Sequence, residues 1–235
     1  MNNCTTRKGT SALALMAALG IPAAAGAQDL DFNYIELNYV NVDVDYSESL
    51  TEGEDTVSLE TDSGSGFHVG GAWQVWDALH LFGEYSRSSQ DLAFAALIEG
   101  EEFAGKGDFD VVRYRIGVGY AFELSRAMRA YGRVSFDSIE FEDFEVDGES
   151  LGDLDDDGFG AELGLLWAAT PKVHLQAQVR YTSVGEINDG DGSGFDADVL
   201  VGVTGRWFLT PKFALQAGYE TGQIDTWNVG ARLTF

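Results

Sequence analysis

Three histidines, a set of strand-borne arginines and glutamates, and two aspartate-rich runs are the side chains here that could do chemistry. A catalytic histidine needs a hydroxyl or thiol to activate and a third group to orient it. His68, His80 and His174 each sit on the polar side of an alternating stretch, and none has a hydroxyl two residues on. Cys4, the only cysteine, lies ahead of an apolar N-terminal run, so the rest of the chain has no thiolate nucleophile. This pattern predicts no catalytic centre, and a lipid- or peptide-processing enzyme is the least favoured function.

The aspartates come closer to a known pattern. Asp153, Asp155 and Asp157 stand at positions 1, 3 and 5 of a half-match to a calcium loop, with Gly158 at position 6 for the sharp turn. Asp189 and Asp191 begin a second half-match that ends on Gly194. The twelfth positions are Gly164 and Leu200, where a bidentate glutamate is required, so neither loop is complete. The expectation is weak divalent-cation binding at most, set against acidic loops that simply stay solvated, and no other cofactor.

The remaining charges are organised by strands. Apolar residues recur at every second position in ten stretches: 31–46, 66–76, 79–86, 109–122, 128–136, 158–168, 173–182, 199–208, 213–221 and 226–235. In the first the apolar phase slips after Tyr39 to Val40, Val42 and Val44, which suggests a bulge or a strand rising clear of its apolar surroundings. Turns of a few residues separate some stretches, and Thr-Pro-Lys occurs twice, at Thr170 to Lys172 and Thr210 to Lys212. Longer polar connections separate the others: 47–65 holds six acids, and 140–157 holds ten. Short turns at one end and long loops at the other, with an even strand number, is the layout of a barrel that crosses a membrane.

Which face carries charge separates that reading from a soluble sheet. Arg113, Arg115, Arg129, Arg133, Arg180, Arg206 and Arg232 all fall opposite the apolar side chains, with Glu36, Glu84, Glu162 and Glu220. A wet outer face would favour lysine. Arginine, a planar fork, suits confined pairing with carboxylates. The charges are therefore expected to form a polar network in the lumen, with Trp73, Trp167, Trp207 and Trp227 in aromatic girdles outside. Only a closed barrel leaves no strand edge unpaired in lipid.

Composition agrees. The 235 residues include 14 basic and 39 acidic side chains, a net charge of −25, which argues against a nucleic-acid partner. Hydrophobic content of 45% with 29 glycines and 3 prolines suits one folded all-β domain. Arg7 and Lys8, the apolar run 11–21 and Ala25-Gly26-Ala27 form an export signal cleaved before Gln28. The run is shorter than the ~20 residues a spanning helix needs. Residues 1–27 are thus read as signal peptide and 28–235 as the barrel domain.

Two resemblances follow. Asn228, Gly230, Leu233 and terminal Phe235 resemble the C-terminal signal of Gram-negative outer-membrane proteins, which implies delivery to the outer-membrane assembly machinery. Asn33 to Glu36, His80 to Gly83 with Tyr85, and Arg115 to Tyr120 look like stretches of the small proteobacterial outer-membrane barrels, the superfamily with OmpA-like and OmpX-like members, and are most similar to xanthomonad-type barrels. That resemblance implies a closed antiparallel up-and-down transmembrane β-barrel in the cell outer membrane, with ten strands read here and eight as the alternative. It carries no catalytic residue. The expected protein is a monomer, surrounded by outer-membrane lipid and lipopolysaccharide, with a structural or surface-interaction role. The alternative is a narrow porin-like channel for small solutes, with the glycines of the polar face leaving room in the lumen.

Overall fold

The computed structural model describes residues 30–43, 47–52, 55–61, 63–98, 101–146, 149–150, 154–184, 198–222 and 224–235. The expected signal peptide, and Asp153, Asp189 and Asp191 of the half-calcium loops, lie outside them.

Ten long strands form one antiparallel ring. In chain order they are β1 (Tyr34–Asp43), β4 (Gly64–Trp76), β5 (Leu79–Ile98), β6 (Glu101–Ser125), β7 (Met128–Val146), β9 (Leu154–Thr170), β10 (Val173–Thr182), β11 (Asp198–Thr210), β12 (Phe213–Thr221) and β13 (Asp225–Thr234). Each pairs with its sequence neighbours in the ring, and β1 pairs with β13 from Tyr34↔Thr234 to Asp43↔Asp225, which closes the barrel. The seam is continued by the Phe235 N–H, which donates to the Asn33 carbonyl at 3.2 Å. Three shorter strands lie outside the ring: β2 (Ser47–Glu52) and β3 (Asp55–Thr61) form a hairpin on the far end of β5, and β8 (Glu149–Ser150) pairs with β7.

Four tight turns, at 77–78, 126–127, 171–172 and 211–212, share one rim with both ends of the described barrel. At that rim Asp77 takes φ 40°, a left-handed conformation that aspartate tolerates in a two-residue hairpin. The repeated Thr-Pro-Lys turns close in the same way: Thr170 Oγ1 accepts from the Val173 N–H at 3.0 Å and Thr210 Oγ1 from the Phe213 N–H at 3.1 Å. The opposite rim carries the longer connections, except that residues 99–100 alone join β5 to β6 and residues 222–224 join β12 to β13.

The outer surface has a broad apolar band. Ile35, Leu37, Ile116, Val118, Leu163, Val203 and Val229 all point outward and are exposed, Leu163 at 72%. Near the short turns the band ends in Trp73, Trp76, Tyr120 and Trp207; toward the other rim it ends in Tyr39, Phe67, Tyr85, Tyr114, Tyr181, Tyr219 and Trp227. Rings of this second girdle touch: Tyr85 and Tyr114 centroids are 5.3 Å apart, and Tyr39 and Trp227 5.7 Å. An exposed greasy belt of this extent is unstable in water and is what a bilayer requires.

Two sequence expectations are refined here. β1 pairs in unbroken register with β4 and β13 through Val40 and Val42, so no bulge follows Tyr39, and the phase slip marks the strand rising clear of its apolar surroundings. Val40 and Val42 instead point inward, buried, with Ile224 packed against them. Residues 87–108 and part of 140–157, read as loops, continue β5, β6, β7 and β9 beyond the aromatic girdle. In this extension the pattern inverts. Phe109, Val111 and Ile139 face inward as a small core, while Arg87, Asp110, Glu140, Glu142, Asp155 and Asp157 lie on the outward-facing side. Arg87 there reaches Glu142 at 3.4 Å and pairs with Asp110.

The two zones make opposite demands on one strand. Leu163→Arg, at mid-band on β9, should lower stability in lipid vesicles by about 2–4 kcal/mol. Asp155→Arg, on the same face of β9 above the girdle, should change it by about 1 kcal/mol or less. Urea titration of tryptophan fluorescence in vesicles measures both, and equal effects would contradict the membrane placement.

Candidate functional site

The inward faces of the ring build one polar network. Its centre is a cluster on β5, β6, β7 and β9. Glu84 lies opposite Arg115, Arg115 opposite Asp137, and Arg133 opposite Glu162 in the strand register. Period-2 alternation turns all of them inward. Arg115 donates from Nη1 to Glu84 at 2.8 Å, from Nε to Asp137 at 3.3 Å and from Nη2 to Glu162 at 3.2 Å. Arg133 shares Glu162 at 3.5 Å, donates to His80 Nε2 at 3.1 Å and to the Tyr34 hydroxyl at 3.2 Å. Its guanidinium lies 4.5 Å from the Phe82 ring and 5.0 Å from that of Tyr131. Burial of all these charges is offset by near-complete pairing, which is the condition under which buried ions are tolerated.

Around this centre run smaller groups. Arg232 pairs with Glu36 across the β1–β13 seam, its Nε 2.8 Å from the carboxylate, and its guanidinium lies 3.6 Å from the centroid of Tyr34. Arg180 meets Glu220 at 2.5 Å, and Gln178 donates to the same carboxylate at 3.1 Å. Arg206 is held by amide oxygens alone, donating to Gln216 at 3.1 Å and Gln176 at 2.7 Å. Arg129 sits at the short-turn rim, 2.9 Å from the Leu30 carbonyl and 3.8 Å from Asp31. Arg113 lines the lumen, yet among the described residues it makes no ion pair; the charges nearest it are Arg180 and Glu220.

Below the central cluster the lumen is sealed. Leu30 and Phe32, just ahead of β1, turn inward and pack with Tyr34, Ala72, Phe82, Ala121, Tyr131, Leu166 and Ala168. Phe32 stacks on His80 with centroids 4.0 Å apart and meets Tyr131 edge-on at 5.6 Å. The glycines read as leaving room in the lumen divide: Gly202 lines the remaining cavity, whereas Gly117, Gly119 and Gly164 are filled by neighbouring side chains. A Cβ at Gly164 would clash with the Tyr131 ring, one at Gly119 with His80, and one at Gly117 with Phe82. Each glycine vacates space that a large side chain from the neighbouring strand fills.

Above the cluster a cavity of about 160 Å³ remains, bounded by Val40, Ser86, Arg113, Arg180, Gln178 and Asn228 among others. The histidines are all absorbed by packing: His68 hydrogen bonds Asn38 at 3.0 Å, and His174 lies 4.5 Å from Phe208. Asp155 to Gly158 form extended strand in β9 instead of a coiled calcium loop, with Gly158 buried opposite Asp137. Among the described residues no group of three or more His, Cys, Asp or Glu could hold a metal. Of the C-terminal signal, Asn228 lines the cavity and Gly230 packs against Asn38, while Leu233 and Phe235 are exposed on the apolar belt.

Sequence reading missed two features of this interior. Asp137 continues the inward series Arg129, Tyr131, Arg133 and Ser135, so period 2 alone could have found it had the strand been carried one residue further. Leu30 and Phe32 likewise continue the inward phase of Tyr34 backward.

A family profile described as outer membrane protein beta-barrel domain matches residues 11–235. No curated protein sequence matches the chain. Among solved structures it is similar to the outer membrane protein OprG of Pseudomonas aeruginosa, at 12% identity over 86% of this chain and 94% of that one, TM-score 0.46. The translocator domain of autotransporter NalP from Neisseria meningitidis matches at 14% identity over 86% and 88%, TM-score 0.48. Ail of Yersinia pestis, in complex with the heparin analogue sucrose octasulfate, matches at 14% identity over 86% and 98%, TM-score 0.40.

Glu162 is the carboxylate that both central arginines share. Glu162→Gln should therefore destabilise the barrel by about 3–5 kcal/mol, because two buried guanidiniums lose one counter-charge. Glu123→Gln, an exposed control at the turn rim, should stay within about 0.5 kcal/mol of the parent. Pairing Glu162→Gln with Arg133→Gln should cost less than the sum of the two single changes, read by the same urea titration as a double-mutant cycle.

Proposed function

Because the chain belongs to the outer membrane protein β-barrel domain family and so resides in the outer membrane, we propose that it serves there as a closed, non-conducting barrel with a structural or surface-interaction role. The observation that carries this reading is the double closure of the lumen. Arg115, Arg133, Glu84, Asp137 and Glu162 cross its middle, and Phe32 stacked on His80 fills the short-turn end. In this reading the short turns face the periplasm and the acidic connections face outward. Lipid and lipopolysaccharide cover the apolar belt, and the barrel works as a monomer. The assembly machinery would read Asn228, Gly230, Leu233 and Phe235 during insertion. No catalytic role is assigned to the histidines, since each is held by a neighbouring side chain rather than beside a nucleophile.

One observation favours the alternative of a narrow channel: the cavity of about 160 Å³ above the central cluster. It is a dead end unless the Arg115 and Arg133 pairs part. Planar-bilayer recording separates the two roles. The barrel should give no sustained current over a wide voltage range; steady stepwise conductance from folded, heat-modifiable protein would overturn the non-conducting reading and favour the channel.

A further inference from the structure

The cavity above the central cluster has more cation than its own carboxylates answer. The guanidiniums of Arg115, Arg133, Arg180 and Arg232 meet carboxylates, as described above. Among the described residues Arg113 and Arg206 do not. Arg206 is satisfied by two amide oxygens. Arg113, one alternation step beyond Arg115 on β6 and farther from the turn rim, has no such substitute: among the described residues none of its N–H groups is taken up by an acceptor, and its nearest like charge is Arg180. Arg180 cannot turn over its carboxylate, because Glu220 is already shared between Arg180 and Gln178. Arg180 itself keeps a buried Nε–H without a partner. Both arginines line the same cavity.

We propose that this cavity is a binding site for a small oxyanion, a carboxylate or phosphate solute from the external medium, with Arg113 as its principal donor and Arg180 as its second. Two like charges beside one another inside a ring of strands are costly unless an anion joins them. The arginine fork offers paired N–H groups at the spacing of two carboxylate or phosphate oxygens, which makes it the side chain suited to such a ligand. A volume of about 160 Å³ is close to that of a protein cavity that takes benzene, about 150 Å³, and is enough for acetate or inorganic phosphate. Lipid phosphate is excluded by position, since the site lies within the ring of strands and lipid lies outside it. The strongly acidic character of the whole chain, net charge −25, further disfavours polyanions at the mouth. The central cluster and Phe32 close the side toward the short turns. The inference stands apart from the surface role, because binding is measured without conduction and without a partner.

The test uses the full barrel folded in detergent micelles, titrated calorimetrically with inorganic phosphate and, separately, with acetate at constant ionic strength. One saturable, millimolar site is expected for the parent and for Lys172→Gln, an exposed control at the opposite rim. Arg113→Gln removes no ion pair, so the barrel should keep its heat-modifiable mobility while affinity falls about tenfold or more. A parent without saturable binding to either anion, or an Arg113→Gln barrel that binds as tightly as the parent, overturns the proposal. Should Arg113→Gln not fold, Glu220→Gln keeps the question open to refutation. It frees Arg180 for the anion and should tighten binding several-fold, and unchanged or weaker binding overturns the two-arginine site.

Discussion

Everything inside this barrel depends on arginines being turned away from the lipid into an interior largely filled by side chains, where groups from other strands must take the place of water. Each strand has two faces and no third choice. Once the apolar face is committed to the bilayer, the charged face must meet its own kind from other strands. Arg115 and Arg133 succeed because the register sets Glu84, Asp137 and Glu162 directly across from them. The aromatic rings of Phe82 and Tyr131 then cover the guanidinium of Arg133, which replaces part of the hydration it has lost.

The same two-faced constraint explains why the alternation inverts above the second girdle. Between the girdles the outside is lipid, so side chains that face out are Ile116, Val134, Leu163 and Val201. Beyond Tyr85 and Tyr114 the outside is water. The outward positions become Arg87, Asp110, Glu140 and Asp155, and Phe109, Val111 and Ile139 move to the inside. No bulge is needed for the switch. β5 and β6 pair in unbroken register from one solvent into the other, past the girdle the β6–β7 register shifts only between Asp108 and Asp110, and the sequence changes phase because the surroundings do.

Filling of the interior is shared between large and small residues on neighbouring strands. Gly117, Gly119 and Gly164 let Phe82, His80 and Tyr131 reach across the lumen. Phe32 and Leu30 complete the seal from the chain segment ahead of β1. Among the described residues the barrel is closed toward the short turns, and the remaining cavity, lined by Arg113, lies on the side of the long connections.

Period 2, read along the chain, was enough to place ten strands, to choose their lipid face, and to gather the arginines and glutamates on the other, because that periodicity is a property of single strands. It could not place Asp137 against Arg115, show that among the described residues Arg113 lacks a carboxylate while Arg180 has one, or see that the space at Gly164, Gly119 and Gly117 is filled by Tyr131, His80 and Phe82. Those facts depend on which residues face one another across the lumen, and this is fixed by the stagger of all ten strands when the ring closes between β1 and β13. The acidic runs show the same division. Their charge was plain, but whether Asp155 to Gly158 coil around an ion or extend as strand was decided by the neighbouring β7, which offers Asp137 to Glu140 as a ladder of backbone partners.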